Sequence, residues 1–242
     1  MENKTLIFCP VYNEVHHLPK LIERLNSTEI NGDFYFIDSG SNDGSTEIIK
    51  KSRYEYLSLE KNFGVGYAII TAIEFALQNN YKVICGISGN NKMDPQEINK
   101  LLNPIYEDNF DYVQGSRFLE ETKDRNTPKF RAVSIPVLSK LVSIIFKMSV
   151  TDVTCGFRAF KLELINRANF EINQKWLYGY SFEPYFYTNV FLDKKIKKIE
   201  VPVKMSYPSN KSIKYTKIKP FLNYPGLVFP YVFGKIFFKG FK

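Results

Sequence analysis

The sequence predicts an α/β fold, a mostly parallel sheet covered by helices. Three observations lead to it. Short apolar runs alternate with segments whose apolar residues recur at helical spacing through the first half of the chain. The runs are followed by short turns of small polar residues. The chain has 242 residues, 44% of them hydrophobic and 24% charged, enough to bury a large core in one domain without staples.

The elements follow in order. Residues 5–11 (TLIFCPV) read as a buried strand. Leu18, Leu21, Ile22 and Leu25 then share one helical face, with Pro19 near its start. Residues 33–38 (DFYFID) form a second strand, and Ser45 or Thr46 caps the helix after it. A third strand at 54–60 precedes a helix that turns Ile69, Ala72, Ile73, Ala76 and Leu77 inward. A fourth strand at 81–88 leads to a helix opening near Pro95, with Ile98, Leu101 and Leu102 inward, and a fifth strand covers 111–118. Beyond it the pattern loosens. Residues 119–129 are polar and read as a mobile loop, 130–148 as an apolar helix, and 154–160 as a short strand. Helices are expected near 161–170 and 180–193, and a late strand within 196–207.

Composition narrows the function. Cys9, Cys85 and Cys155 are too few and too scattered for a disulfide framework, and no Cys/His set has zinc spacing. The start of the chain lacks the basic head and apolar run of a secretory signal, and the apolar stretch 132–146 is too short to span a bilayer. A cytoplasmic globular protein is expected. The net charge of +8 is concentrated at the end, where residues 194–242 hold twelve lysines and one acid, Glu200. That distribution argues against a nucleic-acid binder and for a local anionic surface. His16 and His17 are adjacent, so they point apart on a helix; they read as exposed or helix-start residues. Trp176, among Tyr178, Tyr180 and Phe182, reads as either acceptor-pocket lining or core.

In an open α/β sheet, ligands bind beyond the carboxyl ends of the strands. Four polar turns converge there: Pro10 to Glu14, Asp38 to Gly44, Asn62 to Gly66, and Ser88 to Pro95. Asp38 and Asp43 can accept from a base or ribose, Tyr12 offers an aromatic face, and Glu14 can reach a ribose hydroxyl. Gly64 and Gly66 let the backbone approach a ligand closely and precede a helix N-terminus, which favours phosphate. No Walker A sequence is present, and the Gly-x-Gly follows the third strand, against a dinucleotide fingerprint.

VYNE, DSGSNDGST, NFGVGYA, DPQEI and GSRF, in this order, resemble glycosyltransferase family 2 with its Rossmann-like GT-A fold. TDVTCGFRAF, YGYSFE and EVPV resemble its polyprenyl-phosphate sugar synthase branch, that of the dolichol-phosphate mannosyltransferases. The resemblance covers about residues 4–206. It implies a nucleotide-sugar donor, inverting transfer to a polyprenyl phosphate or another lipid-linked or cell-surface glycan acceptor, and a strand order near 3-2-1-4. It implies a GT-A domain over 1–207, with a nucleotide-sugar half at 1–118 and an acceptor half at 119–207, and a separate basic, aromatic segment at 208–242. Pro10, Tyr12, Glu14, Asp38, Asp43, Asn62, Gly64, Gly89, Asn90 and Asn91 are then the expected nucleotide-sugar contacts. Arg117, Arg131, Asp152 and Arg158 are the expected catalytic and acceptor-side residues, within a motif that includes Gly156 and Phe157. Asp152 would be a base for a sugar hydroxyl, or a turn cap; the arginines would orient an acceptor that is already a phosphate anion.

One departure from the family stands out. Counted back from Pro95, its metal-binding Asp-x-Asp pair falls at Gly89 and Asn91, neither a carboxylate. Three readings stay open. A weaker Mg2+ or Mn2+ site could use Asn91 with Asn90 or Asp94. Lys92 and the arginines could neutralise the diphosphate without metal. Or catalysis has been lost, leaving a nucleotide-sugar binder or a scaffold for glycan assembly. Finally, Pro230 can open a short amphipathic helix with Lys235, Lys239 and Lys242 on one face, suited to an anionic membrane surface. That places the chain peripherally on the cytoplasmic face of a membrane.

Overall fold

The computed structural model describes residues 4–119, 127–167 and 171–207. Most of the expected 119–129 loop, the end of the helix expected at 161–170, and the 208–242 segment with its Pro230 helix lie outside the described residues.

The sheet is built outward from β1 (Thr5–Val11), seven residues that are almost wholly buried. It pairs in parallel with β2 (Asp33–Asp38) on one side and β4 (Val83–Gly86) on the other. β3 (Glu55–Ser58) extends the sheet beyond β2, giving the order 3-2-1-4. Past β4 comes β6 (Arg158–Lys161), antiparallel both to β4 and to β5 (Tyr112–Ser116). β7 (Lys198–Pro202) runs parallel to β5 and closes the seven-stranded order β3-β2-β1-β4-β6-β5-β7. Six strands therefore end at one edge, and the reversed β6 begins there. Gly86 of β4 and Gln114 of β5 both pair with Arg158, the first residue of β6.

Strand alternation divides the core between the two faces. Leu6 and Phe8 face α3 (Val65–Gln78) and α7 (Phe182–Leu192), together with Tyr112 and Phe160. Ile7, Cys9 and Val11 face α1 (Leu18–Asn26) and α4 (Ile98–Glu107), which present Leu18, Leu21, Leu25 and Ile98, Leu101, Leu102. α7 is buried nearly all round, which explains its lack of a polar face. α5 (Lys129–Phe146) is different: it buries Ile135, Ser139 and Val142 and exposes an apolar row described below. Two shorter helices complete the fold, α2 (Ser45–Lys50) and α6 (Glu163–Arg167). Among the described residues no helix is long and apolar enough to cross a membrane.

Several expectations are corrected. β1 and β2 match their expected bounds, whereas β3, β4 and β5 are shorter than their expected runs, because pairing stops where the chain turns over the sheet edge. The strand expected at 154–160 begins only at Arg158, since Asp152 holds the preceding residues in a turn: its carboxylate accepts from the Thr154 N–H and its carbonyl from the Cys155 N–H. Gly44, not Ser45 or Thr46, caps α2, at φ 98°, a left-handed geometry that glycine tolerates. Leu77 is 37% exposed rather than inward. All three cysteines are buried free thiols, and burial pushes the Cys155 thiol up to about 12.

Candidate active site

The strand ends open into a cleft of about 760 Å3. Pro10, Tyr12, Glu14, Asn62, Gly64, Gly89, Asn90, Arg117, Arg131 and Arg158 line it, as does Lys92. Among the described residues, its charged lining consists of four cations, Lys92, Arg117, Arg131 and Arg158, against two carboxylates, Glu14 and Glu183. Such a surface is complementary to a multiply charged anion. Tyr180, Phe182, Phe186 and Tyr207 supply the aromatic part of the wall.

The remaining expected residues stand behind the lining and shape it. Asp38 is 1% exposed and accepts from the Thr46 hydroxyl (2.6 Å) and the Ser41 N–H (3.1 Å), which folds the turn after β2. Asp43 ties that turn to the first loop by accepting from the Ser45 N–H and hydroxyl and from the Val15 N–H. Burial alone would raise the Asp43 carboxyl, but these donors outweigh it and hold it below the ordinary value. His17, expected to be exposed or at a helix start, stands at the N-cap of α1 and is buried there, with Nδ1 2.6 Å from the Glu14 carboxylate. Trp176 is 43% exposed, stacks edge-on against Tyr185, and does not line the cleft.

The glycines after β3 serve the backbone. A Cβ at Gly64 would lie 2.3 Å from the Tyr178 carbonyl oxygen, and one at Gly66 1.9 Å from that of Leu177. The Gly66 and Tyr67 N–H groups donate to the Gly179 and Tyr178 carbonyls at 3.1 and 3.0 Å. Two of the first-turn donors of α3 are thus spent on protein rather than left for a phosphate.

On the acceptor side, Asp152 is fully buried. Its two oxygens meet Arg117 Nε at 2.6 Å and Nη2 at 2.8 Å, and it does not line the cleft. Arg117 also donates to Tyr207 and Thr154. Desolvation works against the guanidinium, yet the Asp152 carboxylate holds it more firmly protonated than usual. Sequence reasoning gave Glu200 no role. It braces this turn by accepting from the Thr151 N–H and hydroxyl and from the Asp152 N–H, and burial raises its carboxyl. Glu183, also given none, lies 3.4 Å from the Arg158 guanidinium, which itself donates to the Cys155 carbonyl at 2.6 Å. A Cβ at Gly156 would lie 2.8 Å from a Glu183 carboxylate oxygen, so a larger residue there would shift that side chain. The signal for both acids was their place in the EVPV and YGYSFE segments; nothing in the spacing showed what they would touch.

The loop after β4 differs from its reading. Asn91 takes a left-handed φ of 55° and turns its side-chain oxygen to Arg24 (2.7 Å), while Asp94 pairs with the same arginine at 2.8 Å and caps the following 3-10 turn. Both expected metal ligands thus face α1 rather than the cleft. Within this loop, the side-chain oxygens at the cleft are those of Ser88 and Asn90, which hydrogen-bond each other at 2.8 Å. Both are neutral, whereas a hard divalent cation wants charged oxygens. Among the described residues no cluster of three His, Cys, Asp or Glu is placed to hold a metal. The side-chain oxygens of this loop alone do not make a charged donor set for a divalent cation. Lys92, next along, is 8% exposed, and burial with the Arg131 charge lowers its ammonium to about 8.

The family model for glycosyl transferase family 2 matches residues 6–168. The chain belongs to that family. It is a glycosyltransferase with a GT-A-like mixed sheet. It is 26% identical over 205 residues to the undecaprenyl-phosphate mannosyltransferase of Micrococcus luteus, covering 83% of this chain and 82% of that one. It is 24% identical over 187 residues to the polyprenol monophosphomannose synthase of Mycolicibacterium smegmatis, covering 74% and 69%. Among solved structures, glucosyl-3-phosphoglycerate synthase from Mycobacterium tuberculosis, in complex with Mn2+, UDP and glucosyl-3-phosphoglycerate, superposes with a TM-score of 0.61. That match is at 16% identity and covers 86% of this chain and 73% of that one.

Proposed function

We propose that this glycosyltransferase moves a sugar from a nucleotide-sugar donor to a polyprenyl phosphate, with inversion at the anomeric carbon. The observation that carries the reading is a single helix with two faces. α5 brings Arg131 to the cleft, and along its outer side it exposes Phe130, Val133, Val137, Leu141 and Ile144, each more than half accessible. Their spacings of three and four residues make one apolar stripe about 21 Å long. A cationic cleft beside an apolar stripe suits an acceptor with a phosphate head and a hydrocarbon tail. The closure of Asp152 on Arg117 points the same way: a sugar hydroxyl needs a base, while a phosphate anion does not. The named activities of the Micrococcus and Mycolicibacterium relatives support the same acceptor class.

In this reading Pro10, Tyr12, Glu14, Asn62, Gly89 and Asn90 receive the nucleotide sugar, on turns folded by Asp38 and Asp43. Arg131 and Arg158 orient the acceptor phosphate, and Arg117 fixes the wall between them. The stripe and the basic 208–242 segment would hold the chain on the cytoplasmic face of an anionic membrane. The test is transfer from labelled UDP-, GDP-, CDP- and dTDP-sugars to undecaprenyl phosphate, read as label in the organic phase, with the anomeric configuration determined by NMR. Label in lipid with inverted configuration is expected. Transfer only to water-soluble hydroxyl acceptors would overturn the acceptor, and binding without any transfer would leave a nucleotide-sugar scaffold.

A further inference from the structure

We propose that His17 is a positioning residue of the donor site: it holds the Glu14 carboxylate from behind, so that Glu14 meets the ribose hydroxyls of the nucleotide already oriented. The proposal rests on the nucleotide-sugar reading above and names the residue that aims one of its contacts.

Of Glu14, Asp38 and Asp43, only Glu14 lines the cleft. Its backbone is fixed first. Asn13 turns the chain at a left-handed φ of 53°, and its N–H donates to the Ser41 hydroxyl at 3.0 Å. The Glu14 N–H donates to the Ser45 hydroxyl at 2.8 Å. The Glu14 carbonyl accepts from the His17 and Leu18 N–H groups at 2.8 and 3.0 Å. The carboxylate is then held by the His17 ring, whose Nδ1 lies 2.6 Å from Oε2. A carboxylate can only accept, so Nδ1 carries the proton of this bond. The His17 side chain is 8% exposed and does not itself line the cleft, so a ligand reaches Glu14 but not the imidazole. On the cleft side, the Glu14 charge acts on Lys92 and, with burial and Glu183, raises the Tyr180 phenol.

Helix α1 gives up a cap for this bond. His17 is its N-cap residue, at a position where Ser, Thr, Asp or Asn would satisfy an N–H of the first turn. The imidazole makes no such cap and turns to Glu14 instead. A side chain given to a cleft residue in place of its own helix serves the cleft. Charge then decides what Glu14 meets there. The lining cations suit the phosphates, whereas a carboxylate repels phosphate and accepts from O–H donors, which a nucleotide carries on its ribose. An untethered glutamate loses its rotamer freedom when the ligand binds, while a tethered one has lost it on folding. His17 therefore strengthens the hold on the ribose without touching it.

The experiment is calorimetric titration of the full chain, with Mn2+ present, against UDP, GDP, CDP and dTDP, and then against the 2′,3′-dideoxy form of the best binder. Wild type is expected to prefer the hydroxylated nucleotide by about tenfold or more. His17→Leu should cut that preference to about threefold or less and leave the dideoxy affinity unchanged. His17→Asn, whose amide N–H can take the place of Nδ1–H, should keep most of it. In a Glu14→Gln background, His17→Leu should change nothing further, because His17 acts only through Glu14. Equal losses for both nucleotides in His17→Leu, or additive losses in the double variant, would overturn the proposal in favour of a structural role. So would a His17→Leu chain with native circular dichroism and the wild-type preference. If His17→Leu does not fold, His17→Gln replaces it; its amide falls near the Nε2 position, and the same loss of preference is expected. A chain that folds with neither overturns the proposal. Equal wild-type affinity for the two nucleotides also overturns it while leaving the nucleotide-sugar reading intact. If no nucleotide binds wild type, that reading fails and the proposal fails with it.

Discussion

Asp152 and Arg117 form a sealed ion pair: the carboxylate is fully buried, the arginine is 4% exposed, and two of their contacts are 2.6 and 2.8 Å. The pair joins the end of β5 to the turn before β6, two segments far apart in sequence. Removing one partner strands the other charge in the protein. Asp152→Ala is expected to destabilise the fold by about 3–5 kcal/mol. The double variant Asp152→Ala/Arg117→Met should recover part of that loss. Urea denaturation of the three chains checks it, and an Asp152→Ala chain as stable as wild type would contradict the pairing.

A second expectation concerns the seam between α3 and the 177–179 segment. Gly66→Ala puts a methyl 1.9 Å from the Leu177 carbonyl oxygen and 2.6 Å from that of Gly179. The backbone must part, at about 1–3 kcal/mol or more. Gly179→Ala is the control, since nothing lies within 4 Å of a Cβ there. Thermal melts should show a large drop for the first and a small change for the second.

Acid sensitivity should arise partly at Asp111. Burial alone would raise its carboxyl, but the Lys197 N–H (2.9 Å) and the Lys161 ammonium (3.0 Å) hold it below the ordinary aspartate value. A carboxyl lowered in the folded state stabilises above its unfolded pKa, and the stability is lost as pH falls through the folded value. Asp111→Asn should therefore lower stability at neutral pH and flatten its decline below about pH 4. Equal acid slopes in urea melts of the two chains would argue against it.

The parallel half of the fold was readable because its signals are local. Residues 5–11 and 33–38 are apolar runs of strand length, and Leu18, Leu21 and Leu25 mark a helix face at successive turns. β6 was read only approximately, because its four residues begin with a buried arginine and its partners are fixed by distant chain. At the site, sequence located the turns but not the direction of their side chains. Asn91 and Asn90 are adjacent, and a left-handed φ at Asn91 decides that one faces Arg24 and the other the cleft. Gly64 and Gly66 signalled a close approach to a ligand, whereas what lies against them is protein backbone more than a hundred residues away. Asp152 carried the right residue type for a base, and only its enclosure by Arg117 shows what its oxygens hold.

The last expectation concerns the outer face of α5. Val133 and Leu141 are 68% and 53% exposed, so replacing them removes little from the core. Changes at such exposed positions usually alter stability by about 0.5 kcal/mol or less. A stripe of five apolar side chains laid on a bilayer would instead lose a large part of its binding if two became acidic, through lost apolar burial and repulsion from anionic lipid. Val133→Asp/Leu141→Asp should melt near the wild-type temperature, sediment less with anionic liposomes, and transfer sugar to undecaprenyl phosphate more slowly. Nucleotide binding should stay unchanged, because neither residue lines the cleft. A chain ending at Pro225 separates this stripe from the basic tail. If the stripe anchors the acceptor side, the truncated chain keeps part of its liposome binding, and adding the two aspartates to it abolishes the rest. Equal sedimentation of wild type and the double variant, with equal transfer to lipid, would remove α5 from the membrane contact.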